Sequence, residues 1–292
     1  MKWKSAFFPV LFFALISTNS WALIVTTSTD PSTLTSTILG PGISVVPTSA
    51  TFIGANGAAG TFSDGISSGI GIESGIILTS GDASLAPGPN VSDEHTAVNN
   101  TPGNSNLDAL VSNPTFDAAV LSFDFVTTGG DLFFRYVFAS EEYNEFVDTG
   151  VNDVFGFFLD GVNIALIPGT SDFVSIDTVN GGNPFGVDAS NPEFYNNNDL
   201  DDGGPSFDIA YDGFTDIFIA SALGLSPGAH NITLAIADTG DNRLDSAVFI
   251  EAGSFSDTAP PTAPVPEPAT MLLLGTGLIG VAGAGRKKFF IK

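Results

Sequence analysis

Two acidic segments hold most of the side chains in this chain that could do chemistry. The first is Ala139-Ser140-Glu141-Glu142-Tyr143-Asn144-Glu145, followed shortly by Asn152-Asp153. The second is Asp238-Thr239-Gly240-Asp241-Asn242-Arg243-Leu244-Asp245-Ser246. Carboxylates gathered without lysine repel one another, and a Ca2+ ion relieves that repulsion by accepting ~6–8 oxygens at ~2.3–2.6 Å. Glu141, Glu142, Asp153, Asp238, Asp241 and Asp245 are therefore candidate ligands of a Ca2+ cofactor. The same residues also read as ordinary acidic turns, in which Asp and Asn bind backbone NH groups. Both readings stand on sequence alone.

Other constellations are weaker. Asn196-Asn197-Asn198-Asp199-Leu200-Asp201-Asp202-Gly203 places oxygen side chains at the first, third and fifth positions of a loop counted from Asn197, with Asp208 twelfth. Its glycine falls one place late and the twelfth residue is not Glu, so it is not an EF-hand and reads as a solvated polar loop. Gly65-Ile66-Ser67-Ser68-Gly69 fits G-x-S-x-G, but the glycine-rich sequence after it is a poor source of the helix a nucleophile elbow needs. His95 and His230 stand alone, without metal-ligand spacing, and suit surface or capping roles. Glu141 and Glu142 invite comparison with a glycosidase pair, yet neighbours on a strand point to opposite faces. The leading expectation is a non-enzymatic protein; a secreted carbohydrate-active hydrolase using paired carboxylates is the alternative.

The elements that must position these side chains are mostly strands. Short apolar runs alternate with Gly, Asn, Asp and Pro. Strands are predicted over 75–79, 120–126, 131–139, 154–159, 162–167, 173–176, 216–220, 231–237 and 247–252. In the third of these, Leu132, Phe134, Tyr136 and Phe138 share one face and Phe133, Arg135 and Val137 the other, as a central strand requires. One short helix is expected after Asp30-Pro31, with Asp30 as N-cap, Leu34 and Ile38 four apart and Gly40 to end it. A further turn or two is expected over 106–111. The fold class is all-β: a two-layer antiparallel β-sandwich, jelly-roll-like, with one or two short helices.

Composition narrows the partners. The chain has 292 residues, a formal net charge of −24 and no cysteine. Of the eight lysines and arginines, only Arg135 and Arg243 lie between residues 23 and 264, a stretch that holds every acidic residue except Glu267. Such a surface repels phosphate backbones, which excludes nucleic acid, and attracts divalent cations. Without cysteine there are no disulfides, thiol nucleophiles or zinc-thiolate sites.

The two ends carry addresses. Lys2 and Lys4, the apolar run 6–16 and Ser20-Trp21-Ala22 form a signal peptide over residues 1–22, cleaved after Ala22. A folded domain over 23–256 follows, then a Pro/Thr linker over 257–264. Val265-Pro266-Glu267-Pro268 precedes an uncharged stretch, 269–285, and Arg286-Lys287-Lys288 closes it. Seventeen helical residues rise roughly 25 Å, a little short of a ~30 Å hydrocarbon core, and Phe289, Phe290 and Ile291 can extend them. The basic cluster keeps the cytoplasmic side, so the domain lies on the far side of the membrane.

That tail resembles the PEP-CTERM sorting signal of Gram-negative bacteria that make exopolysaccharide, with Pro266, Glu267 and Pro268 as the sorting motif. The resemblance implies an exosortase-type processing protease as partner, transient anchoring in the inner membrane, and a destination on the outer surface or in the extracellular matrix. A plain single-pass anchor is the alternative. The blocks Phe134-Arg135-Tyr136-Val137-Phe138-Ala139-Ser140-Glu141-Glu142-Tyr143, Asn152 to Gly161, Ala235 to Asp241 and Leu244 to Ile250, with Gly75 to Gly81, resemble the choice-of-anchor L domain. That family implies a surface location and no set activity. Beyond the surface location that the resemblances imply, the leading expectation is a role in adhesion or in association with exopolysaccharide, biofilm or other surface proteins.

Overall fold

A computed structural model describes residues 22–260. The signal peptide apart from Ala22, residues 261–264 of the Pro/Thr linker, the Pro266-Glu267-Pro268 motif and the 269–285 segment lie outside the described residues. In chain order the elements are β1 (Ile24–Thr27), α1 (Pro31–Ile38), β2 (Ile43–Val45), β3 (Thr51–Ile53), β4 (Ala59–Ser63), α2 (Gly65–Ser68), β5 (Gly75–Thr79), α3 (Ser105–Asp108) and β6 (Thr115–Thr127). There follow β7 (Leu132–Ser140), β8 (Val154–Leu159), β9 (Val162–Asn163), β10 (Tyr195–Asn197), β11 (Gly213–Thr215), β12 (Phe218–Ala222), β13 (His230–Thr239) and β14 (Ser246–Glu251). Two single 3-10 turns, Ala83–Leu85 and Pro192–Phe194, complete the set. Among the described residues no helix is long and apolar enough to cross a membrane.

The strands form a two-layer antiparallel β-sandwich. One sheet runs β1-β4-β5-β14-β7-β11-β10, with β12 also paired to β7. The other runs β2-β6-β13-β8-β9, with β3 also on β6. Alternation in β6 turns Leu121, Phe123 and Phe125 inward, and alternation in β7 turns Leu132, Phe134, Tyr136 and Phe138 to meet them; all seven are fully buried. Most of the rings pack edge to face or tilted, as between Phe134 and Phe157 at 4.8 Å and Tyr136 and Phe157 at 4.9 Å, while Phe138 stacks on Phe155 at 5.2 Å. Each such buried side chain contributes roughly 1.5–3 kcal/mol of transfer free energy.

The predicted central position of β7 holds: β14 pairs with one edge, and β11 and β12 with the other. Its second face is bulky because it is covered as well. Val137 and Ala139 join Phe62, Ile77, Tyr211, Phe214 and Phe249 in a smaller core on the outside of the larger sheet. Near one end of the six-stranded sheet, β6 carries one residue more than β13 between Ala119 and Phe116. This is a β-bulge, and Asp117 takes φ 49° within it.

Helix α1 forms as its caps dictate. Asp30 accepts the Thr33 backbone NH at 2.9 Å, Pro31 opens the first turn, and Leu34 and Ile38 are buried on one face. It ends with Leu39 in extended backbone rather than at Gly40. The second predicted helix is the single turn α3. Two predicted strands shrink. Beyond β9 the 162–167 segment keeps only an isolated bridge between Leu166 and Phe173, and 173–176 adds one between Val154 and Ser175. There Asn163 binds the backbone NH of Phe157 and of Ala165, and this side-chain bonding replaces the ladder. The compact unit ends at Thr258, two residues past the boundary expected from sequence.

Candidate metal centre at the acidic end of the sandwich

Register fixes which chain segments meet at one end of the sandwich. Ser140, the last residue of β7, pairs with Ser246 at the start of β14 and with Gly213 at the start of β11. In the other sheet, Ala237 of β13 pairs with Val154 at the start of β8, and Thr239 pairs with Thr115 at the start of β6. The loops after β7 and β13 and before β8, β11 and β14 therefore open on the same side. Asp153 ties the two sheets there: its Oδ2 accepts from Ser246 Oγ at 2.7 Å and its Oδ1 from the Thr239 NH at 2.9 Å.

The six candidate ligands gather at this end, in separate neighbourhoods. Glu141 is 1% exposed, and neither carboxylate oxygen has a hydrogen-bond partner. His95 Nδ1 lies 3.8 Å from its Oε1. Burial first, then the Asp212 and Asp245 carboxyls, hold its pKa well above the usual range, against the opposing His95 backbone. Glu142 faces Asp153, Asp241, Asp177 and Glu145; burial and these charges push it up to about 10, and its Oε2 has no partner.

Asp238, also 1% exposed, has both oxygens without a hydrogen-bond partner and lies near Asp153 and Asp245; burial raises it well above a normal carboxyl. Asp245 accepts from the Ala97 NH at 2.9 Å, and burial raises it to about 6. It presses so closely on Gly81 that a Cβ there would stand 1.6 Å from its Oδ2. Asp241 stands apart: it is exposed and its Oδ1 accepts the Arg243 NH in a turn.

Strand β7 ends at Ser140, one residue past the expected end, so Glu141 and Glu142 open the loop after it, and their carboxyls turn to different neighbours. Among the described residues no three His, Asp or Glu side chains are grouped closely enough to hold a metal ion as they stand. What the structure does show is a set of buried oxygens lacking donors. An unpaired buried charge is costly, and such groups take up protons or cations. Of the two arginines here, Arg135 is engaged with Glu251 at 2.8 Å and Arg243 is exposed.

Sequence reasoning missed several members of this end. Asp212 is fully buried; its Oδ1 accepts from Asn90 Nδ2 at 2.6 Å and its Oδ2 has no partner. Burial raises it to about 9 against the Asn90 hydrogen bond, and Asp199, Asp93 and Glu145 add to the effect. A positional signal links it to the others. Asp153, Asp212 and Asp245 each stand immediately before the first residue of a strand that starts at this end.

The Asn196–Gly203 segment corrects the expectation of a solvated loop. Asn198 and Asp199 are fully buried. Asn198 donates to the Ile209 and Tyr211 carbonyls and accepts from the Ser206 and Phe207 NH groups. Asp199 accepts from the NH groups of Asp201, Asp202 and Asn144. Asx side chains that satisfy backbone groups draw this loop inward where a merely polar one would be hydrated.

The remaining motifs settle simply. Gly65–Ser68 is one helical turn closed by Ser68 Oγ donating to the Gly65 carbonyl at 2.9 Å. His230 is buried and bridges Asp160 Oδ2 at 2.6 Å and the Ser226 carbonyl at 2.8 Å, tying the loop before β13.

These features define an acidic two-sheet β domain with one end crowded by buried carboxyls. The family model of the choice-of-anchor L domain matches residues 24–256, and the chain belongs to that family. The PEP-CTERM protein-sorting motif matches residues 264–287, which implies an exported, cell-surface protein processed by an exosortase. No curated protein and no solved structure gives a significant match to the chain.

Proposed function

We propose that this protein is a non-enzymatic, calcium-stabilised module of the cell surface or extracellular matrix that contacts exopolysaccharide or neighbouring surface proteins. The observation that carries the reading is Glu141, buried among the Asp212 and Asp245 carboxyls with only the His95 backbone opposing their effect. An all-oxygen, carboxylate-rich setting without cysteine selects a hard cation, and extracellular modules bind Ca2+ at ~10⁻⁴–10⁻³ M. Coordination would require Glu141, Glu142, Asp238 and Asp245 to draw together toward Asp153 from the separate positions they hold.

Against a glycosidase, Glu141 and Glu142 turn to different neighbours instead of facing each other across a cleft. A cavity of about 350 Å3 between the Ile53-Gly54 and Thr101–Ser105 segments carries no carboxylate. Contact with a polysaccharide is supported by the rim of the acidic end, where Phe185 is 48% exposed and its NH donates to Asp202.

The test is thermal unfolding of the exported protein in millimolar Ca2+, in chelator, and in NaCl of matched ionic strength. Ca2+ should raise the melting temperature and Glu141→Gln should remove most of the gain. An equal shift with NaCl would reduce the effect to screening and overturn the reading.

A further inference from the structure

We propose a second divalent-cation site, of calcium size and all-oxygen ligation, where three loops converge: Asp93 from the loop before β6, Glu145 from the loop after β7, and Asp199 and Asp212 from the segment between β10 and β11. It rests on the reading above in taking calcium as the cation, but on none of the six residues assigned from sequence.

Four observations support it. Asp212 is fully buried and its Oδ2 has no hydrogen-bond partner. Asn90 joins Asp212 to the Asn198 carbonyl beside Asp199, and the Asp199, Asp93 and Glu145 carboxyls all act on Asp212, which also borders Glu141. Asp93 Oδ1 is itself a buried oxygen without a partner, and the Asp199 and Asp201 carboxyls act on this side chain, which the Leu200 backbone also reaches. Glu145 crowds Asp199 and Asp93, and burial and those charges raise it to about 7. No lysine or arginine is among the groups acting on any of these carboxyls.

The scaffold around the cluster is already ordered. Asn90 holds Asp212 Oδ1 and the Asn198 carbonyl from one side. The Asn144 NH holds Asp199 Oδ2 from another, while Asn144 Oδ1 accepts the Tyr195 hydroxyl at 2.7 Å. These bonds fix Asp199 and one oxygen of Asp212; the second Asp212 oxygen, Asp93 and Glu145 are not grouped closely enough to hold an ion as they stand and would have to close on it. A cation here would join the long Pro87–Pro114 connection to the sheet edge at β10 and β11.

The placement supplies its own reporter. Tyr195 lies within one hydrogen-bonded residue of the cluster and its ring is 4.8 Å from that of Tyr143. Terbium, an oxygen-seeking ion of calcium size, emits when a nearby tyrosine is excited. The exported protein should show tyrosine-sensitised terbium emission that Ca2+ competes away, and native mass spectrometry should count two bound Ca2+. The double variant Asp93→Asn with Glu145→Gln alters only the exposed or half-buried members of the cluster. It should lose one Ca2+ and at least about tenfold of the terbium emission, yet keep the calcium-induced rise in melting temperature that depends on Glu141. Conversely, Glu141→Gln should keep the terbium emission. If the double variant keeps both its Ca2+ count and its emission while Glu141→Gln loses an ion, the second site is refuted and the first stands. If neither the parent nor the variants bind Ca2+, both fall together.

Discussion

Raising the pH should weaken this protein when calcium is withheld, and Asp245 gives the scale. Burial lifts its carboxyl from an ordinary 3.8 to about 6 in the folded state. A raised carboxyl pKa means that the folded form binds the proton more tightly than the unfolded chain, so stability falls as pH rises between the two values. At pH 5 the folded Asp245 is still largely protonated while the unfolded one is ionised; at pH 8 both are ionised. The difference between these pH values is roughly 1–2 kcal/mol from this group alone. For a domain of this size that corresponds to a melting temperature lower at pH 8 by on the order of 5 °C. Glu142, raised to about 10, and Asp212, raised to about 9, act in the same direction and carry the decline to higher pH.

The assay is circular-dichroism melting in chelator from pH 5 to 8 at fixed ionic strength, repeated in millimolar Ca2+. His230, whose pKa the Asp160 hydrogen bond raises above 6.5, also loses stability as pH rises; a His230→Gln background removes that contribution. Because Ca2+ competes with protons for the same carboxylates, its stabilising effect should grow with pH and flatten the decline. A melting temperature in chelator that stays level or climbs from pH 5 to 8 in that background would refute the reasoning.

Other outcomes are expected. Phe255→Ala should cost about 3–5 kcal/mol in denaturant unfolding, since its ring meets Phe123, Phe125 and Phe134 at 5.2–5.3 Å. Gly81→Ala should displace the Asp245 carboxylate, lower the melting temperature and blunt the response to Ca2+; a variant with unchanged calcium response would count against that contact. Intact-mass measurement of the surface form should find no residues beyond about Pro268, and detection of Lys292 on that form would contradict exosortase processing. No mobility shift of DNA or RNA is expected at physiological salt with micromolar protein.

The long strands were legible because both their periodicity and their bulk are explicit. Phe134, Tyr136 and Phe138 alternate against Arg135 and Val137, and no other element fits that pattern. Strands of three or four residues, such as Ile43–Val45, Thr51–Ile53 and Gly213–Thr215, are too short to show a period and exist through their partners. Strand β6 begins five residues before the expected start because its first part, Thr115 to Ala119, breaks the alternation at the Asp117 bulge and is defined by pairing with β13. The acidic end was legible where carboxylates cluster in sequence. Asp212 stands about seventy residues from Glu141, so only the pairing of Gly213 with Ser140 brings them together. Asp199 was hidden differently: its surroundings read as hydrated polar chain, and the backbone NH groups that bury it have no side-chain signature.

Phe255 has a mechanical consequence. The domain reaches its sorting tail through residues just past this ring, which closes the aromatic core. Ser256 exchanges two backbone hydrogen bonds with Phe133, and Phe255 binds Ile38 and Gly40 through its own NH and carbonyl. Tension applied to the chain beyond Thr258 therefore enters the fold at the core and not at a peripheral loop. A tether placed there either holds as a whole or draws out the central plug, so resistance to force is set by the barrier to withdrawing this ring from the core.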